Sequence, residues 1–177
     1  ADIGSGAGHA VIRLAEAFPR STYVGFDVFK PSIERAIFNA DVAKVSDRVK
    51  FESRDIIHGL PGSFDVITTF DVIHDLPHPF KALVAIREAL NPDGVYLMLE
   101  IKCSDKLQDN FGHHGAQRYG NSIFHCMSTS LGAGGKGLGT MGMPQTVIEK
   151  YCSEAGFSDV SRVDIDDSMN SLYAIRI

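Results

Sequence analysis

The residues near the amino end whose types and spacing could do chemistry are Asp2, Gly4, Ser5, Gly6 and Gly8. An acid followed by three glycines at alternate positions lets a strand turn sharply into a helix, with bare backbone lying against a bound small molecule. A Cβ there would block both the turn and the close approach. The spacing is Asp-x-Gly-x-Gly-x-Gly, which differs by one residue from the Gly-x-Gly-x-x-Gly of dinucleotide binders. A second acid, Asp27, ends a short apolar run. At the carboxyl end of a strand, its carboxylate can accept hydrogen bonds from both hydroxyls of a ribose. Asp55 follows the next strand and could accept from an adenine amino group, with Ile56 packed on the ring. An Asp at that place serves equally well as a helix N-cap.

Further on, Phe70-Asp-Val-Ile-His74-Asp75 follows a central strand. His74 titrates near neutral pH and could take a proton from a hydroxyl or amine. The competing reading is a structural histidine held by Asp71 or Asp75. His58, His78 and the pair His113-His114 show no carboxylate or cysteine at a ligand spacing, so no metal site is expected. His125-Cys126 is a nucleophile pair in composition only, because sequence neighbours rarely form the hydrogen bond that activation needs. The glycine run over 132–142 follows no strand and lacks the Gly-Lys-Ser/Thr ending of a phosphate loop, which favours a mobile or tightly turned lid.

The elements that must position these groups follow from periodicity. Residues 9–18 place Val11, Leu14, Ala15 and Phe18 on one helical face. Thr22 to Phe26 is a strand, and Pro31 opens a helix whose buried stripe is Ile33, Ala36, Ile37 and Ala40. Val49 and Phe51 alternate with charged residues, as in a strand with one wet face. The runs 64–70 and 95–99 are continuously apolar and read as central strands covered on both faces, with a helix over 79–90 and a turn at Asn91–Gly94 between them. Residues 102–143 break the rhythm. It returns with a helix over 144–155 and two closing strands. Strand and helix in alternation make a parallel α/β sheet with right-handed crossovers.

Bulk properties bound the rest. The chain has 177 residues, 44% hydrophobic and 22% charged, which is one globular domain. A net charge of −5 makes a nucleic-acid backbone an unexpected partner. No apolar run approaches a membrane span. Cys103, Cys126 and Cys152 are widely separated with no CxxC pair, which fits reduced thiols in a cytoplasmic protein.

With the glycine loop, Asp27, Asp55, the end of the fourth strand and Leu90-Asn-Pro-Asp-Gly-Val95 in order, the chain resembles class I S-adenosylmethionine (SAM)-dependent methyltransferases. The resemblance implies a Rossmann-like, doubly wound seven-stranded sheet of order 3-2-1-4-5-7-6, its last strand antiparallel. It implies that Gly4 and Gly6 approach the methionine part of SAM and Asp27 the ribose, with Asp2 and Ser5 also among the cofactor-binding residues. Val28 would face the adenine, Asp55 and Ile56 its edge, and Phe70 would offer a backbone carbonyl to the amino group. His125 to Leu131 and Gly134 to Gly139 look like a subgroup that carries a winged-helix domain ahead of this one. On that reading residues 1–177 are a methyltransferase domain lacking its amino-terminal part, with the first strand truncated and 102–143 a lid or substrate insertion. Its function would be methyl transfer to a small-molecule acceptor by in-line displacement, with SAM as cofactor, His74 as base and homodimerisation an option. The alternatives are a SAM-binding domain or incomplete fragment without catalysis, and, more remotely, an NAD-dependent oxidoreductase. The last lacks both the loop spacing and a Tyr-x-x-x-Lys pair.

Overall fold

In the computed structural model, which describes residues 1–177, seven strands form one sheet of order β3-β2-β1-β4-β5-β7-β6. The strands are β1 Asp2–Ile3, β2 Tyr23–Asp27, β3 Val49–Ser53, β4 Phe64–Phe70, β5 Leu90–Ile101, β6 Asp159–Val163 and β7 Asn170–Arg176. Strands β1 to β5 pair in parallel, and β7 enters antiparallel between β5 and β6. Fold and strand order are those the resemblance implies. At the centre, β1 contributes only Asp2 and Ile3, yet it pairs on both sides, with Gly25 and Phe26 and with Thr68 and Thr69.

Helices α1 (His9–Ala17), α2 (Lys30–Val42), α3 (Pro79–Ala89) and α6 (Gln145–Ala155) cover the two faces. The larger core joins α3 and α6 to the sheet through Leu83, Ile86, Ile148, Tyr96, Ile67 and Ile175, all with 0% exposure. Burying each such side chain contributes roughly 1.5–3 kcal/mol. A smaller cluster of Val11, Ile12, Ala15, Ala40, Val45 and Val49 seats α1 and α2. Two predicted core residues are outside. Ile37 and Phe18 are 53% and 60% exposed, because the shallow contact of α2 buries only Ile33, Ala36 and Ala40, and α1 ends at Ala17. Val66 in β4 is also exposed, so that strand is covered on both faces only from Ile67 to Thr69. It borders a cavity of about 860 Å³ against α1 and the amino ends of the strands; Asp2 lines it, and none of Gly4, Asp27, Asp55 or His74 does.

The expected turn at Asn91–Gly94 is instead the irregular start of β5. Leu90 pairs with Phe64, a register shift follows, and the Asn91 amide donates to Asp65 at 2.8 Å. Within 102–143 the chain is more regular than its glycines suggest. Helices α4 (His113–Asn121) and α5 (Met127–Gly132) run together through a π-helical turn, Ser122–Cys126. The following glycines wrap this bulge closely. A Cβ on Gly139 would lie 2.1 Å from Ser122 Oγ, and one on Gly135 would lie 2.3 Å from Pro77 Cα. The segment is therefore tightly turned. No helix is long and apolar enough to cross a membrane.

Candidate active site

The glycine loop joins β1 to α1 at the carboxyl edge of the sheet. The amides of Gly4 and Ser5 donate to Phe26 O at 2.8 and 3.0 Å, and Gly6 N donates to the Asp27 carboxylate at 2.9 Å. Gly4, Gly6 and Gly8 have φ of 69°, 52° and 80°, in the left-handed region that disfavours a side chain. Their surroundings differ. A Cβ on Gly4 would meet Val72 at 2.6 Å and one on Gly8 the Phe51 ring at 2.5 Å, whereas Gly6 faces open space. Gly4 thus lets the loop after β4 close against this one, and Gly6 leaves a backbone cradle in the cleft. Ser5 Oγ is buried beside it with no hydrogen-bond partner.

Asp27 receives Gly6 N–H on one oxygen and Phe29 N–H, at 2.8 Å, on the other. The carboxylate is half-buried, and Val28 beyond it is 66% exposed and free to cover a ligand face. Asp2 lies inside, at 4% exposure, and accepts from the Thr68 hydroxyl at 2.6 Å. Burial pushes its carboxyl up to about 6 against the opposing pull of that bond. Asp55 fills the N-cap role: it accepts Ile57 N–H at 3.1 Å and caps the single turn Ile56–His58. Ile56 belongs to the core, at 5% exposure. Phe70, at the end of β4, is 38% exposed.

His74 sits on the one-turn helix Ile73–Asp75 at 3% exposure. Its ring is held by a partner the sequence reading missed. Nδ1 lies 2.5 Å from Glu100 Oε2, and Glu100 Oε1 accepts Ile73 N–H at 2.9 Å. Nε2 faces Asp75 Oδ1 at 3.2 Å, without the alignment of a hydrogen bond. Burial opposes charge on the imidazole, but the hydrogen bond and charge of Glu100, with Asp75 and Asp71, outweigh it and raise its pKa above the ordinary value. Burial raises Glu100 as well, against the pull of His74 and Ile73. Asp71 does not touch the ring as a partner. It holds a left-handed φ of 56°, and its two carboxylate oxygens share the Asn170 amide at 2.8 Å each. Glu100 could have been noticed as the one acid in Val-Tyr-Leu-Met-Leu-Glu-Ile, a run otherwise built for the interior. Asn170 carries no local signal.

Segment 102–143 closes over this loop. Ser130 Oγ donates to Leu76 O and Lys136 N to Pro77 O, both at 3.2 Å. Burial, with Asp75 beside it, pushes the Cys126 thiol up to about 11, which suits no nucleophile at neutral pH. His58, His78, His113 and His114 join no cluster of ligand-bearing side chains.

Comparison with known proteins places this geometry. The trans-aconitate 2-methyltransferase of Deinococcus radiodurans is 32% identical over 94 residues, which cover 53% of this chain and 34% of that protein. Two solved structures share the fold: mitomycin 7-O-methyltransferase MmcR, with a TM-score of 0.74 and 18% identity, and PigF bound to S-adenosylhomocysteine (SAH), with 0.75 and 20%. Each match covers 99% of this chain, which spans about half of those two, 47% and 49%. A family model described as a methyltransferase domain matches residues 1–136. The chain belongs to the methyltransferase-domain family.

Proposed function

We propose that this domain binds SAM at the glycine loop and Asp27 and passes its methyl group to a small-molecule acceptor whose attacking atom carries a proton. The observation that carries the reading is the bare cradle at Gly6, tied by its own amide to the carboxylate of Asp27. A bare backbone loop with an acid beside it suits a cationic nucleoside. Gly4 and Gly6 would hold the methionine part, Asp27 the ribose, Val28 the adenine face, Asp55 with Ile56 its edge, and the Phe70 carbonyl the amino group, while Asp2 and Ser5 support the loop from inside. The SAH-bound relative of the same fold supports this cofactor.

When bound, SAM supplies an electrophilic methyl on a positively charged sulfur. The protein then has to place the acceptor in line, exclude water and accept a proton. The Glu100 carboxylate accepts a hydrogen bond from Nδ1–H of His74 and so selects the tautomer with a lone pair on Nε2. Nε2 would receive the acceptor's proton, and the imidazolium formed would rest against Glu100, while the lid segment keeps water out. Asp75 has to turn aside to give the acceptor access.

The test is calorimetric titration with SAM, SAH and NAD, followed by an assay for SAH release with candidate acceptors. Binding of SAM with acceptor-dependent SAH release supports transfer. Binding without release under any acceptor supports a non-catalytic SAM domain, and binding of NAD alone overturns the reading.

A further inference from the structure

Folding brings Cys126 against the sequence neighbours His74 and Asp75, making a group of three ligand-bearing side chains. One ring nitrogen of His74, one carboxylate oxygen of Asp75 and Cys126 Sγ all lie within 4.8 Å of one another, with His74 and Cys126 buried. Nε2 and Oδ1 approach to 3.2 Å, yet Oδ1 is buried with no hydrogen-bond partner. An imidazole nitrogen, a carboxylate oxygen and a sulfur gathered this closely are the arrangement that a shared cation would bridge. The other ring nitrogen of His74 is already engaged by Glu100. That outer carboxylate is the support metal-bound imidazoles regularly carry, since it fixes ring and tautomer. On the sulfur side, the Thr140 hydroxyl donates to Cys126 Sγ at 3.0 Å, which stabilises negative charge there.

We propose that His74, Asp75 and Cys126 form a binding site for a thiophilic divalent cation of the zinc class, with three protein ligands and one position open. Ligands bound to zinc at about 2.0–2.3 Å stand roughly 3.3–3.8 Å apart in a tetrahedron, so the three atoms need only a small closure. A thiolate, a carboxylate and a neutral imidazole balance a charge of +2, and the thiol proton leaves to solvent on binding. One carboxylate beside sulfur and nitrogen does not suit magnesium or calcium, which take oxygen sets.

The consequence is regulatory. Cys126 belongs to the segment over the cleft, and His74 and Asp75 belong to the loop beneath it. A cation joining them pins the two together and occupies Nε2. That inhibition rests on the proposed function; the site itself does not.

The experiment is titration of Co²⁺ as a spectroscopic stand-in into the reduced, chelator-treated chain, with displacement by Zn²⁺. The expected result is one equivalent bound, with a near-ultraviolet thiolate-to-cobalt band. Cys126→Ser should abolish the band, and both Cys126→Ser and Asp75→Asn should weaken binding at least tenfold. Cys103→Ser and His113→Gln should leave it unchanged. Substoichiometric binding, or binding that follows Cys103 or His113 in place of Cys126, overturns the site. X-ray absorption at the zinc edge of the loaded parent chain needs no variant: one sulfur ligand is expected, and none refutes the site. Zn²⁺ should also slow SAH release in the parent and not in Cys126→Ser. If the cation binds as described and turnover does not change, the base assignment fails and the cation site stands.

Discussion

Replacing Asp27 tests the cofactor reading where the geometry is most explicit. Its carboxylate has two tasks in the fold: one oxygen holds Gly6 N–H at 2.9 Å and the other Phe29 N–H at 2.8 Å. Each oxygen keeps a further lone pair, and the carboxylate is only half-buried, so it can also accept from the hydroxyls of a ribose. Asp27→Ala removes the acceptor, and one charge-assisted bond is worth about 1.5–3 kcal/mol. At about 1.36 kcal/mol per decade, the dissociation constant for SAM should rise roughly 10- to 150-fold. Release of Gly6 from its anchor adds to that loss. Asp27→Asn keeps one oxygen but turns an N–H₂ toward either Gly6 N–H or Phe29 N–H, so an intermediate loss near tenfold is expected. Calorimetric titration measures both variants against the parent, with circular dichroism as the folding control. If Asp27→Ala folds and binds SAM with parental affinity, the cleft does not hold the ribose there and the assignment is wrong.

Glu100→Gln can satisfy Ile73 N–H only by pointing its amide N–H₂ at His74 Nδ1, which moves the ring proton to Nε2. SAH release should then fall by roughly 10²-fold or more with SAM affinity unchanged, and undiminished turnover would remove the base role. Asp2 has a folded pKa raised to about 6 from 3.8, so the folded state binds the extra proton. Stability should decline as pH rises from about 4 to about 6, and remain lower by about 3 kcal/mol above that range. Asp2→Asn should flatten the decline and melt higher than the parent at pH 8; a parental pH profile in denaturant titrations would refute this. Gly8→Ala combines a left-handed φ of 80° with a Cβ 2.5 Å from the Phe51 ring. It should destabilise the fold by about 2–4 kcal/mol, read as a lowered Tm.

The parts of the molecule legible in sequence are those written locally. Alternating glycines specify the turn from β1 into α1, and the alternation of strand and helix specifies the parallel sheet. Asp27 was readable because strand end and acid are neighbours. The support of His74 was not, because Glu100 stands beside it only through the pairing of β4 with β5. The same holds for Cys126, which reaches Asp75 only when the π-helical turn packs on the base loop. Periodicity also overstated the α2 stripe. A 3.6-residue pattern names a face, but how deeply the helix sits decides whether Ile37 is covered. The Asn91–Gly94 signal was correct as a bend and wrong as a boundary, since strand pairing resumes through it.

Asn170 opens β7, and its amide grips Asp71 between the glycine loop and His74. The rim of the cleft is therefore fastened by the strand that comes after all the others of the sheet in chain order. During translation the amino-terminal strands can pair early, but the pocket stays unfinished until β7 has threaded between β5 and β6. Replacing Asn170, or inserting a bulky segment beside β7, would disturb ligand recognition at a point 99 positions upstream.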